Sequence, residues 1–208
     1  MKLFLPLLFV APVVAFALAD SPQWRGPNRD GVFPATGLLH EWPKEGPRLL
    51  WQTTGLGKGL SSVAVVGGKL YTLGERKGGQ WLIALDVKTQ KEIWATRASE
   101  KGDGPQGTPT VDGDLVYALS KDGVLLCAKS SDGSEVWRRT YAKDFGNPPM
   151  PGWGFAESPL VDGEKVIVTP GSKDFFMVAL IRSPASYSGK RSGWGQGMAT
   201  MARATPVR

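Results

Sequence analysis

The chain has 208 residues, with 25 Lys+Arg against 19 Asp+Glu, one cysteine and one histidine. That length suits one domain. Its formal charge of +6 does not mark a nucleic-acid binder: residues 20–180 hold 19 basic and 19 acidic side chains, and the surplus lies at Lys2, Arg182, Lys190, Arg191, Arg203 and Arg208, so the body offers phosphate no electrostatic footprint.

The first element is a leader. Lys2 gives a positive start, residues 3–16 are apolar apart from prolines, and Ala17-Leu18-Ala19 supplies the small residues of a cleavage site. Residues 1–19 therefore read as a secretory signal peptide cut before Asp20. The apolar run is too short for a membrane span, and none follows it, so no stable span is expected after cleavage. No cysteine follows the cut, which argues against a lipoprotein start. The expected location is the periplasm or the exterior.

Residues 20–60 form a lead segment, with His40 in a loop-like stretch. A lone histidine without a CxxC pair argues against a His/Cys metal site. Gly55-Leu56-Gly57-Lys58-Gly59 has the flavour of a phosphate loop, but Lys58 is followed by glycine rather than Ser or Thr. It reads as a flexible connector.

Repeats occupy residues 61–180. Val65-Val66-Gly67-Gly68-Lys69-Leu70-Tyr71 recurs as Val111-Asp112-Gly113-Asp114-Leu115-Val116-Tyr117, and again as Val161-Asp162-Gly163-Glu164-Lys165-Val166-Ile167. A second signature is Leu49-Leu50-Trp51-Gln52-Thr53, then Glu92-Ile93-Trp94-Ala95-Thr96, then Glu135-Val136-Trp137-Arg138-Arg139, with the tryptophans 43 residues apart. A period in the forties holding several short strands is the spacing of a propeller blade. The first repeat predicts strands at 62–65, 70–74, 81–86 and 92–97; the second predicts them at 108–111, 115–119, 124–128 and 135–140. Asp-Gly turns stand between strands of the second repeat, where glycine accepts positive φ. No sustained 3.6-residue apolar period follows the leader.

Cys127 lies in an apolar strand and reads as a buried, inert thiol; as the single cysteine of an exported chain it has no internal disulfide partner. Residues 130–137 come near an Asp-box but have the glycine one place early, Asp112-Gly113-Asp114 lacks the later ligands of a calcium loop, and no GxSxG is present. Residues 145–157 form a proline-rich inter-blade loop. Trp153, Phe155 and Glu157 are its candidate ligand-face residues, since such loops gather on one face of a propeller; the plainer reading is a stiff loop packing on its own aromatics.

Ala84-Leu85-Asp86-Val87-Lys88-Thr89-Gln90-Lys91-Glu92-Ile93-Trp94 resembles the repeat of the pyrroloquinoline-quinone (PQQ) propeller family, Ala-x-Asp-x-x-Thr-Gly-x-x-x-Trp, with Gln90 in place of the glycine. The second copy keeps Gly133 and Trp137 but has Lys129 where Asp86 stands. The resemblance, over about residues 21–180, implies an all-β partial propeller of four-stranded antiparallel blades, about two complete and part of a third. It implies that Trp94 and Trp137 are inter-blade anchors, and that the Trp51 strand is a blade-closing strand with the same role.

After Leu180 the repeat fails. Ile181 stands where Asp86 stands in the first repeat, and neither a Thr-Gly turn nor a correctly spaced tryptophan follows. Residues 181–208 read as an aberrant, disordered basic tail. A shift of reading frame is the expected cause, the alternative being a genuine divergent tail or a short gene: with one choice of GC-rich codons, residues 191–207 read one base out give a Glu-Trp ending and an Ala-Ser-Pro-Val start. Sequencing the locus tests this.

The residues point to a non-catalytic extracytoplasmic binding or scaffold module, or a truncated remnant of one. A related propeller class serves as an assembly scaffold for outer-membrane proteins, so a protein partner is expected and no cofactor. The alternative is a fragment of a PQQ-dependent dehydrogenase, which would need PQQ and calcium. The adjacent cysteine pair on which many such enzymes stack the quinone is absent from this sequence.

Overall fold

Glycine sets the hairpins. In the computed structural model, which describes residues 20–182, β1 (Ala64–Val66) turns into β2 (Lys69–Arg76) through Gly67 and Gly68, both at positive φ. That is the requirement of a type I′ turn, whose twist matches paired strands. β5 (Thr110–Asp112) and β6 (Leu115–Leu119) are joined by Gly113-Asp114, and β9 (Leu160–Asp162) and β10 (Lys165–Val168) by Gly163-Glu164; only the glycine has positive φ. Asp112 and Asp162 thus end strands, and the turn pair begins one residue later than an Asp-Gly reading places it.

The remaining strands are β3 (Gly79–Asp86), β4 (Glu92–Ser99), β7 (Val124–Lys129), β8 (Glu135–Thr140) and β11 (Val178–Ile181). They form three antiparallel meanders, β1-β2-β3-β4, β5-β6-β7-β8 and β9-β10-β11. The third shows no fourth strand among the described residues. The strands predicted for the first two repeats all form, their ends displaced by no more than two residues. In the first two meanders each middle strand is buried on both faces, as in Val124–Lys129, where five of six residues are buried. A strand with one wet face would alternate; these sheets are stacked face to face.

Two apolar layers result. Between the first and second blades lie Tyr71, Leu73, Leu82, Ala84 and Trp94 against Val111, Val116, Ala118, Leu126 and Ala128. Between the second and third, Tyr117, Leu119, Leu125, Cys127 and Trp137 face Val166, Val168, Val178 and Leu180. The fold is all-β, a partial β-propeller, apart from one helical turn, α1 (Tyr141–Asp144). A single turn leaves no apolar period to read, yet it buries Tyr141 and delivers the buried Phe145.

Two expectations change. No strand forms at Trp51: residues 51–55 are irregular, Leu49 and Leu50 are more than 70% exposed, and Trp51 itself is 36% exposed. A strand needs a partner edge, and no strand among the described residues offers one to this segment. The tail does not begin at 181: Ile181 ends β11, paired with Lys165 as Asp86 pairs with Lys69, and Arg182 packs on the second blade. The expected signal peptide and the rest of the tail, residues 183–208, lie outside the described residues.

Candidate functional site

The repeated tryptophans occupy matching seams. Trp94 is the third residue of β4, opposite Ala84; its ring lies 5.9 Å from Tyr71 and is 9% exposed. Its Nε1–H donates to the Ser130 carbonyl of the next blade at 3.3 Å. Beneath the ring lies Gly133 at φ +74°, where a Cβ would come within 2.5 Å of Trp94 Cε3. Trp137, the third residue of β8, is fully buried, lies 6.0 Å from Tyr117, and donates to the Arg182 carbonyl of the third blade at 3.1 Å.

Ser130 and Arg182 are equivalent positions. The N–H of each follows a blade's third strand and donates to a turn carbonyl, Asp114 or Glu164. Val87 does the same with Gly68 in the first blade. The Trp51 indole, by contrast, makes no hydrogen bond among the described residues, and no indole reaches Val87.

A polar network lies beside the first seam. The fully buried Gln80 donates to Lys101 O and Asp122 Oδ1 and accepts from the Lys121 N–H. Asp122 also accepts from Ser99 and Ser120 hydroxyls. A buried amide needs such partners, and here they belong to both blades. Sequence reasoning missed Gln80 and Asp122: a single glutamine in a strand carries no signal until its neighbours are known.

The three loop candidates separate. Phe155 is 8% exposed and packs edge-on against Tyr141, ring centroids 4.9 Å apart. Glu157 accepts from Tyr141 Oη at 2.7 Å and from the Thr169 N–H and hydroxyl, so its carboxylate ties α1 to the third blade. Only Trp153, 80% exposed, faces outward, near an exposed Met150 and with its carbonyl held by the Gln106 amide.

A cleft of about 430 Å³ lies where the lead meets the second and third blades. Its charges are engaged internally: Arg182 pairs with Asp112 and Glu164, and Arg29 donates to Gln23 and to the Val161 carbonyl. Burial pushes the Cys127 thiol up to about 12, and raises the Tyr117 and Tyr141 phenols well above their usual value. Among the described residues no three His, Cys, Asp or Glu side chains converge as metal ligands. With one buried cysteine, these residues do not fit a calcium–quinone cradle.

Stacked antiparallel meanders, two of four strands and one of three among the described residues, with an indole at each seam define a β-propeller protein of the PQQ-repeat class. A family model described as outer membrane protein assembly factor BamB matches residues 37–181, and the chain belongs to that family. It is 27% identical over 168 residues to the outer membrane protein assembly factor BamB of Burkholderia pseudomallei, covering 77% of this chain and 39% of that one. It is 26% identical over 110 residues to the Marinobacter adhaerens protein of the same name, covering 53% and 24%. The chain thus spans well under half of these relatives' length. Similar solved structures include BamB from Moraxella catarrhalis (20% identity, TM-score 0.49, 66% of this chain and 38% of that one). Another is the quinohemoprotein alcohol dehydrogenase of Comamonas testosteroni (19%, 0.46, 61% and 20%).

Proposed function

We propose that this chain is a non-catalytic, extracytoplasmic propeller scaffold that holds a protein partner during assembly of outer-membrane proteins. The match of residues 37–181 to the BamB family carries the reading. It is supported by the chemistry of the loop: Phe155 and Glu157 serve the fold, leaving an exposed indole at Trp153, three residues along the chain from the exposed Met150. Exposed tryptophan and methionine suit a protein contact that tolerates varied apolar partners. No described helix is long and apolar enough to cross a membrane. Titrating the chain with a urea-denatured outer-membrane β-barrel precursor, freshly diluted, tests the proposal. Saturable binding is expected, weakened about tenfold by Trp153→Ala. Absence of binding would sink the reading; binding indifferent to Trp153 would move the contact elsewhere on the molecule.

A further inference from the structure

We infer that Asp162 is a self-modification site: the Gly163 backbone nitrogen attacks its side-chain carboxyl carbon, and the peptide bond between the two residues migrates to that side chain, leaving an isoaspartate. The sequence holds six Asp-Gly bonds, at Asp30, Asp103, Asp112, Asp122, Asp132 and Asp162. In each the attacking nitrogen belongs to glycine, which has no side chain to shield it or restrict its backbone. The six are therefore alike in intrinsic reactivity, and the fold decides between them.

Five of the six carboxylates are held. Asp30 accepts from the Val32 N–H at 2.8 Å. Asp103 pairs with Lys121 Nζ at 2.8 Å, and Asp112 pairs with Arg182. Asp122 accepts from the Gln80 amide and the Ser99 and Ser120 hydroxyls. Asp132 accepts from the Ser134 N–H at 2.8 Å. Three of the glycines are engaged as well: the N–H groups of Gly31, Gly123 and Gly133 donate to the Arg25, Ser120 and Lys129 carbonyls. Among the described residues the Asp162 carboxylate has neither a hydrogen bond nor an ion pair, and the Gly163 N–H donates to nothing. Both residues are exposed, and the space where a Gly163 side chain would stand is empty.

Comparison with Asp112 isolates the cause. Asp112-Gly113 and Asp162-Gly163 are the same bond in successive repeats, each ending a blade's first strand, with the glycines at φ +56° and +54°. They differ in Arg182, whose guanidinium pairs with Asp112 and Glu164 but not with Asp162. A carboxylate that must first leave such a partner is attacked about tenfold more slowly.

The step needs only water. Gly163 N bonds to Asp162 Cγ, the nitrogen's proton passes to solvent, and the hydroxyl on Cγ leaves as water, closing a cyclic imide. Water then opens the ring. Cleavage between nitrogen and Cγ restores aspartate. Cleavage between nitrogen and the backbone carbonyl carbon leaves the chain running through Cβ and Cγ, with a free α-carboxylate. The product lengthens the backbone by a methylene just where the Gly163-Glu164 turn sets Asp162 opposite Lys165. The Val161 carbonyl held by Arg29 and the Glu164–Arg182 pair flank that point, so the third blade's attachment to the lead is what loosens.

The folded chain, kept for weeks in neutral buffer at physiological temperature, is digested and mapped by fragmentation that separates the two isomers. Isoaspartate is expected at residue 162 about tenfold above each of the other five positions. In urea all six should reach comparable levels. Arg182→Ala should raise isoaspartate at residue 112 toward the level at 162, and Lys121→Ala should do the same at residue 103, with residue 132 unchanged in both variants. A folded-state level at 162 no higher than at 112 would overturn the inference. So would an excess at 162 that persists in urea, or residues 112 and 103 that stay slow in the variants that free them.

Discussion

Gln90 and Gly133 hold the same place in two successive blades, four residues before a tryptophan. Both lie at positive φ, +57° and +74°, and each N–H closes the turn on the carbonyl four residues earlier. They differ in what lies above them. The Trp94 ring rests on Gly133, whereas no indole rests on Gln90, so a side chain is sterically admitted there at the cost of a left-handed backbone. Gly133→Ala should therefore destabilise by about 2–4 kcal/mol, combining overpacking with backbone strain. Gln90→Gly should stabilise by about 0.5–1 kcal/mol. Urea midpoints with unchanged slopes would show both. At the same scale, Cys127 is protonated more readily when folded than when unfolded, because burial disfavours the thiolate. The unfolded thiol titrates first, so the contribution of this thiol is constant below about pH 9 and is lost as pH rises toward 12. The buried Tyr117 and Tyr141 phenols add to that fall above pH 10. Denaturation curves at neutral and alkaline pH should show the loss, and Cys127→Ala should make it shallower; equal stability at both pH values would contradict it.

At the scale of elements, side-chain bonds that cross seams decide how the blades are joined. Glu157 links the helical turn Tyr141–Asp144 to the strand end at Thr169. Replacing it by alanine leaves the fully buried Tyr141 hydroxyl without its acceptor, a loss of about 2–3 kcal/mol. The variant should lose that stability in thermal unfolding while binding of a partner protein at Trp153 stays intact below the melting range. Lost binding in a folded variant would instead restore Glu157 to the contact surface. Nothing local distinguishes Glu157 from Trp153 in the sequence, since both sit in one proline-rich loop. The distinction comes from Thr169, twelve residues on, whose N–H is brought opposite the carboxylate by the meander of the third blade.

For the whole molecule, the lead does more than precede the repeats. Ser21 bridges to Val65, the Pro22 carbonyl accepts from the Val111 N–H at 2.8 Å, and Arg29 donates to the Val161 carbonyl. These valines are equivalent residues of the three repeats, on the neighbouring first strands β1, β5 and β9. Residues 21–29 thus strap the row of blades at one end. Arg29→Ala should raise amide exchange in β9, β10 and β11 while leaving β1–β4 protected, a local change of about 1–1.5 kcal/mol. Uniform acceleration, or none, would mean the strap carries no blade-specific load.

The repeat spacing, the strand positions and the burial of Cys127 were legible in the chain itself, because each depends on local chemistry: glycine at positive φ, apolar residues where strands are covered on both faces, indoles at a fixed interval. Which of three tryptophans docks was not legible. Trp51, Trp94 and Trp137 share one signature, but docking requires a facing sheet and a carbonyl in reach, and only Trp94 and Trp137 have them among the described residues. The same holds for Gln80, Asp122 and Glu157. A hydrogen bond between residues tens of positions apart is a property of the assembled sheets, so only the tertiary structure assigns these polar side chains to the seams and leaves Trp153 facing outward.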